Sequence, residues 1–255
     1  AYNMTLAIKM NGELDVGKIK NSLIDLTSRH EILRTKFLFV NDRPVQKILN
    51  HVDIDFKYIE NTRGFDDELI KNFIRPFDLS NPPFFRCEII QREDYYLFLF
   101  DMHHIISDGQ SMNIFFKELF DLYNGKQLKD LPIQYKDYSE YINSLDLNKQ
   151  RDYWLKQFND EIPILDLPLD KIRPKIQSFK GKHKKFTIDD YLIKDLAKQF
   201  DATDFMVVLS IIYIFLSKYS SQDDIVVGTP VSNRLNVELN DLLGMFVNTL
   251  ALRSK

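Results

Sequence analysis

The residues best suited to chemistry in this sequence are two adjacent histidines followed by an aspartate, in Met102-His103-His104-Ile105-Ile106-Ser107-Asp108-Gly109. An imidazole titrates near neutrality, so it can take or give a proton at ordinary pH. The run Tyr95 to Met102 is apolar almost throughout and predicts a strand buried on both faces. A helix is expected to start near Gln110. Successive strand residues point to opposite faces. Only one of His103 and His104 can therefore serve a given site, and the other is structural. Asp108 either orients an imidazole or pairs with an arginine and holds the loop. Gly109 is read as permitting a backbone turn that a side chain would forbid. The helix start beyond it offers free N–H groups beside developing negative charge.

Other chemistries compete for the same residues. A histidine pair can simply be hydrogen-bonded in a core. His103, His104 and Asp108 could also ligate a metal, but the opposed faces of neighbouring strand residues argue against it, and no metal is expected. A serine hydrolase needs an activated serine, and there is no Gly-x-Ser-x-Gly elbow. Ser107 and Ser111 read as loop and helix-cap residues. Cys87, within Phe84-Phe85-Arg86-Cys87-Glu88-Ile89-Ile90, reads as a small buried hydrophobe rather than a nucleophile.

The elements that must position this loop are legible from periodicity. Residues 4–10 alternate weakly and predict a strand, turned at Asn11-Gly12. Val16, Ile19, Leu23 and Leu26 fall at helical spacing behind Asp15, a plausible N-cap. Strands are expected over 35–40, 45–49, 54–59 and 84–90, with a short helix over 66–74 stopped by Pro76. Met112, Phe115, Phe116, Leu119, Phe120 and Tyr123 mark one helix face, ended by Gly125. More polar helices are expected over 135–145 and 149–158. The proline-bearing stretch 162–174 is the candidate lobe boundary. Beyond it the pattern predicts a strand over 184–188, a helix capped by Asp189, a buried helix over 203–217 that is apolar on nearly every side, a buried strand at 225–228 and another over 246–253. The fold class is mixed α/β.

Composition excludes several roles. The 255 residues carry a net charge of −3, with 44% apolar and 28% charged residues. That is ordinary globular composition. The one basic cluster, Lys180 to Lys185, reads as a solvated loop, and no nucleic-acid partner is expected. The single cysteine precludes an internal disulfide and fits a reducing cytoplasm. The start shows no signal-peptide pattern. The longest apolar run, Phe205 to Leu216, is shorter than the ~20 residues a membrane crossing needs, so no membrane role is expected.

Four blocks of this sequence, in order, resemble the condensation domains of nonribosomal peptide synthetases, in the chloramphenicol-acetyltransferase-like superfamily. Arg29-His30-Glu31-Ile32-Leu33-Arg34-Thr35-Lys36-Phe37 is similar to the second core motif. Met102 to Ser111 is similar to the third, His-His-x-x-x-Asp-Gly. Tyr135-Lys136-Asp137-Tyr138 resembles the fourth, with Tyr138 where phenylalanine is usual. Leu243-Gly244-Met245-Phe246-Val247-Asn248-Thr249-Leu250 resembles the fifth. Pro76-Phe77-Asp78-Leu79-Ser80 and Asp224 to Pro230 also look typical. The resemblance covers essentially the whole chain. Family members run longer, with a first motif before Ala1 and further motifs after Lys255. The resemblance therefore implies an N-terminal acetyltransferase-like lobe over 1–174 and the beginning of a C-terminal lobe over 175–255.

The resemblance implies peptide-bond formation between a donor acyl or peptidyl thioester and an acceptor aminoacyl thioester. Both ride on the 4′-phosphopantetheine arms of upstream and downstream carrier domains, with an adenylation domain as neighbour and no directly bound cofactor. It implies His104 as the catalytic residue and His103, Asp108, Gly109, Arg29 and Arg34 as supporting residues, with Arg29 as the expected partner of Asp108. Asn248 and Ser111 are expected to line the substrate tunnel that the family has between its lobes. Heterocyclisation members carry aspartates in place of the histidines. Epimerisation members commonly carry Val-Ser-Trp where this chain has Gln110-Ser111-Met112. An epimerisation domain and an inactive carrier-binding fragment are the alternatives, with a stand-alone acyltransferase behind them.

Overall fold

Asp15 opens the first helix as its spacing predicts: the carboxylate accepts a 2.9 Å bond from the Lys18 N–H, one of the donors a helix start leaves unsatisfied. The computed structural model describes residues 2–60, 64–176, 178, 181–187 and 189–255. Its elements run β1 (Asn3–Met10), α1 (Val16–Arg29), β2 (Thr35–Val40), β3 (Arg43–Ile48), β4 (Asp55–Ile59), α2 (Asp66–Phe73), β5 (Phe85–Gln91), β6 (Tyr96–His103), α3 (Gly109–Tyr123), α4 (Tyr135–Ser144), α5 (Asn148–Gln157), α6 (Tyr191–Gln199), α7 (Asp204–Ser220), β7 (Ile225–Ser232) and β8 (Val247–Ser254). The mixed α/β class expected from the sequence is the class observed. No single helix among the described residues is long and apolar enough to cross a membrane.

The chain divides into two compact units, 1–145 with 232–248, and 146–231 with 249–255. The first break falls at 145 rather than at the expected 174, and the proline-bearing stretch 162–174 lies inside the second unit.

In the first unit a four-stranded sheet has the order β1-β6-β5-β4. β6 pairs antiparallel with β1 and β5, and β4 runs parallel to β5. Strand parity sorts the side chains. Phe98, Phe100 and Met102 of β6, with Phe85, Cys87 and Ile89 of β5, pack against Ile19, Leu23 and Leu26 of α1 and Phe115 and Leu119 of α3. Leu97, Leu99 and Ile90 pack on the other face, against Phe73 of α2. β6 is thus buried on both faces, as its nearly continuous apolar run, interrupted only by Asp101, predicts. Each fully buried Phe or Leu contributes roughly 1.5–3 kcal/mol, so this central strand is a firm base for the residues that follow it. Cys87 lies 1% exposed in that core, and burial pushes its thiol well up from the ordinary range, as fits an inert packing residue.

The second unit departs from the sequence reading. α7 spans Asp204–Ser220, but only Val207 along it is buried. Phe205, Met206, Ile214 and Phe215 are each more than half exposed. The helix was expected to be buried because it is apolar all round, but apolar composition permits burial and does not by itself supply a partner surface. Similarly, β7 buries only Ile225 and Thr229. Residues 184–187 form no strand, and Ile188 and Lys180 lie outside the described residues. Here Arg253 binds Asp224 through two hydrogen bonds, 2.8 Å from Nε and 2.5 Å from Nη2.

Candidate active site

β6 ends at His103, and a single 3₁₀ turn, His104–Ile106, carries the chain to α3. The parity argument holds for His103. Its side chain lies on the α2 face of the sheet, and its ring turns back so that Nδ1 accepts a 3.0 Å bond from the Ile105 N–H. Nδ1 therefore holds a lone pair, and the neutral ring carries its proton on Nε2. Burial lowers the pKa of His103, in keeping with a ring whose protonation would cost that bond. The backbone of the pair is pinned from both sides: the His103 N–H donates to Phe84 O at 2.8 Å and the His104 N–H to Tyr2 O at 2.9 Å.

His104 is different. Its Nδ1 is buried with no hydrogen-bond partner. The ring is only partly buried, and no carboxylate among the described residues pairs with it. Nε2 is the nitrogen left for an incoming group. Asp108 does not orient either imidazole. Its Oδ1 caps α3, accepting from the Ser111 N–H and hydroxyl at 2.8 Å each, and its Oδ2 accepts from the Phe246 N–H at 3.2 Å.

The expected Asp108–Arg29 pair is not formed. The partner is Arg234, whose Nη2 lies 3.2 Å from Asp108 Oδ1, with both side chains at 3% exposure or less. Arg234 also donates to the carbonyls of Leu239 and Leu242 and to the Ser111 hydroxyl, and its guanidinium lies 3.8 Å over the Phe246 ring. These contacts dock 232–248 onto the first unit. Gly244 belongs to the same joint: its N–H donates to the Ser111 hydroxyl at 3.1 Å, and a Cβ there would fall 2.1 Å from the Tyr135 ring. Tyr135 in turn donates its hydroxyl to Met245 O at 2.8 Å. Tyr138 packs on Phe246, ring centroids 4.6 Å apart. Its phenol is raised by burial, an effect that a bond to Asn233 partly offsets. Tyrosine in place of the usual phenylalanine thus finds a polar partner.

Two further expectations change here. Ser111 is fully buried in this joint, so it is an internal strut and not a lining residue. Gly109 does not adopt a left-handed backbone, and a Cβ at its position would meet nothing within 4 Å. Its backbone needs no glycine. As the first, exposed residue of α3, it leaves open space next to the histidine turn. Asn248 is exposed at the second position of β8.

Arg29 instead makes a forked contact with Glu118 on α3, 3.2 Å from Nε and 3.2 Å from Nη2. Glu118 also lies 2.6 Å from His30 Nε2. Arg34 anchors the 3₁₀ turn after α1 by donating to Leu49 O at 2.6 Å. His30 is 1% exposed, and burial lowers its pKa despite the carboxylate beside it. We expect a neutral His30 donating to an ionised Glu118, whose own pKa is lowered by His30 and Arg29 against the opposing effect of burial. The unfolded chain takes up a proton at histidine's ordinary pKa of ~6.5, while folded His30 does not. Stability is thus fully present above that pH and lost as pH falls from it toward the folded value. Denaturant midpoints at pH 7.5 and 5.5 check this, and an equal drop in His30→Asn would refute the assignment. Glu118 and Arg234 escaped the sequence reading. Glu118 had one signal, an acidic residue bordering the apolar stripe of its helix; Arg234 had none.

The sequence matches the family model for the condensation domain over residues 1–255. The chain belongs to the condensation domain family. It is 44% identical over 262 residues to bacitracin synthase 3 of Bacillus licheniformis, covering 100% of this chain and 4% of that protein. It is 43% identical over 263 residues to gramicidin S synthase 2 of Brevibacillus brevis, covering 100% of this chain and 6% of that protein. The condensation-domain fold is also seen in the X-domain of teicoplanin biosynthesis, solved in complex with OxyB: TM-score 0.88, 23% identity, 99% of this chain and 60% of that one. The first condensation domain of the calcium-dependent antibiotic synthetase matches at TM-score 0.72 and 20% identity, over 99% of this chain and 64% of that one. This condensation-domain chain thus spans a small part of the synthetases it resembles.

Proposed function

We propose that this condensation-domain chain carries the site at which an acceptor amine attacks a donor thioester to make a peptide bond in nonribosomal peptide synthesis. The observation that carries this reading is His104: a part-buried imidazole in the turn between α3 and a strand that the core holds on both faces, its Nδ1 buried without a partner and its Nε2 left for an incoming group. In the reaction the C–N bond forms, the C–S bond breaks, the amine loses a proton and the thiolate takes one. No acyl-enzyme is involved, in line with an inert Cys87 and a fully buried Ser111.

In this reading Nε2 of His104 accepts a hydrogen bond from the attacking amine and aims its lone pair at the carbonyl. Holding two tethered reactants in line supplies much of the acceleration, since effective molarities reach ~10⁵ M or more. The space left by Gly109 admits the thioester, and the free N–H groups of the first turn of α3 face its developing oxyanion. Asn248 contacts the arm that bears one substrate. His103, Asp108, Arg29 and Arg34 hold these parts in place. The partners are an upstream and a downstream carrier domain, with the substrates on their 4′-phosphopantetheine arms, and a neighbouring adenylation domain.

The test supplies the chain with two carrier proteins, one bearing a donor aminoacyl group and one an acceptor. Intact-protein mass spectrometry is expected to show the dipeptidyl group on the acceptor carrier. An inverted α-carbon on a single loaded carrier, with no dipeptide, would make the chain an epimerisation domain. Carrier binding without either product would leave only a docking role.

A further inference from the structure

Behind the histidine turn lies a buried ion pair that the proposed reaction does not use. On the α2 face of the sheet, Arg86 of β5 stands directly across from Asp101 of β6. Their side chains are 3% and 0% exposed, with Nε 3.8 Å from Oδ2. Asp101 is well satisfied, accepting from Asn3 Nδ2 at 2.6 Å and Thr5 Oγ1 at 3.1 Å. Arg86 is not: its Nε and Nη1 have no hydrogen-bond partner. Desolvating a cation on such terms is costly, and replacing a buried pair with apolar side chains is often neutral or stabilising. Stability alone gives no reason for an arginine here.

Its surroundings give one. The Arg86 guanidinium lies 3.7 Å over the face of Phe77. The Phe77 ring meets the His103 ring at 6.0 Å and 89°. Asp101 precedes His103 by two residues, so it projects from the same face of β6. Asp101 on its own strand and His104 in the turn act on His103, while Arg86 stands across from Asp101 on β5 with the Arg75–Asp55 ion pair beyond it. Asp101 alone would favour a protonated His103. Protonation would put a second N–H against the Ile105 N–H that Nδ1 now accepts, and the turn bearing His104 would have to open.

We propose that Arg86 is a positioning residue: by offsetting Asp101 and bracing Phe77 against the His103 ring, it keeps His103 neutral and so keeps His104 in place, which makes the loop sensitive to acid. The link to rate rests on the reaction proposed above; the link to His103 does not. It also gives Phe77, in the Pro76-Phe77-Asp78-Leu79-Ser80 run, a part in the site.

The test follows the His103 ring nitrogens of the whole chain by ¹⁵N NMR across pH, alongside the carrier assay. In Arg86→Met the His103 midpoint is expected to rise by about one unit, and the amide-forming rate relative to wild type to fall as pH drops through the new midpoint. Arg86→Met/Asp101→Asn, which removes both charges and leaves no unpaired ion to unfold the protein, is expected to return both toward wild type. A His103 midpoint unchanged in Arg86→Met, or unrestored in the double variant, would overturn the proposal. A shifted midpoint with no matching change in the pH–rate profile would sever His103 from His104 and overturn it too. If wild type forms no amide at all, the reaction assigned above fails, and the NMR titration still decides whether Arg86 governs His103.

Discussion

His104→Ala is expected to lower the rate of amide formation by about 10²-fold, the low end of the ~10²–10⁴ that general-base help typically supplies, while the protein stays folded. Folding is spared because the ring is only partly buried and accepts or donates no hydrogen bond, and the backbone bond from His104 to Tyr2 O survives the change. The modest magnitude follows from the surroundings of Nδ1. In a serine-protease triad a carboxylate meets that N–H and stabilises the imidazolium. Here Nδ1 is buried without a partner, and the nearest sequence candidate, Asp108, is committed to Arg234, Ser111 and the Phe246 N–H. A full positive charge on His104 would therefore leave a charged donor buried and unpaired, which costs more than the ~1–3 kcal/mol of a neutral one. The geometry suits an imidazole that holds the amine better than one that stores its proton. His104→Gln, which can still accept a hydrogen bond but cannot take a proton, is then expected to fall within about tenfold of wild type. Single-turnover rates with preloaded carriers measure both variants. A glutamine variant as slow as the alanine one, with losses of 10⁴ or more, would make His104 a true base.

The elements that carry the site were legible because each leaves a local signal. The apolar run into His103 marks a strand closed in on both faces, the Phe115 and Leu119 stripe marks the helix after it, and Asp15 announces α1 as a cap. Strand parity places His103 on the α2 face of the sheet, but it does not reach His104, which lies past the strand in the 3₁₀ turn. The pairings of the charged residues were not legible. Asp108 and Arg234 lie 126 residues apart, and nothing in local spacing distinguishes Arg234 from Arg29 as a partner. Only the docking of 232–248 does, and that depends on Phe246, Gly244 and Tyr135 fitting together. The same limit explains Ser111, which reads equally well as a cap, a strut or a lining residue until Gly244 is seen to close over it. It also explains α7, whose composition carries no record of which of its faces another surface covers.

The largest expected effect on stability belongs to Asp108. Asp108→Ala removes the cap of α3, the acceptor for the Phe246 N–H and the counter-charge of Arg234 in one step. Leaving one member of a buried pair uncompensated costs about 3–5 kcal/mol, a large share of the ~5–15 kcal/mol that holds a typical domain together. The variant is expected to be insoluble or to melt far below wild type. The damage should begin at the 232–248 segment, where Arg234 would be left with only carbonyl and hydroxyl acceptors. The contrast that isolates the charge is Asp108→Asn/Arg234→Met. Asparagine keeps an oxygen for the Ser111 N–H, and methionine fills the space over Phe246 without a charge. This double variant is expected to be more stable than Asp108→Ala, although it alters both partners. Its loss should fall short of the sum of its single losses by about 0.5–3 kcal/mol, the coupling usual for groups in one network. Urea midpoints of the four proteins in the cycle measure that term. Strict additivity would mean that the two charges do not need each other. A soluble, fully stable Asp108→Ala with an altered pH–rate profile would instead make Asp108 a direct participant in the chemistry, and would overturn the proposed division of labour in which His104 meets the attacking amine while Asp108 holds the loop through Arg234.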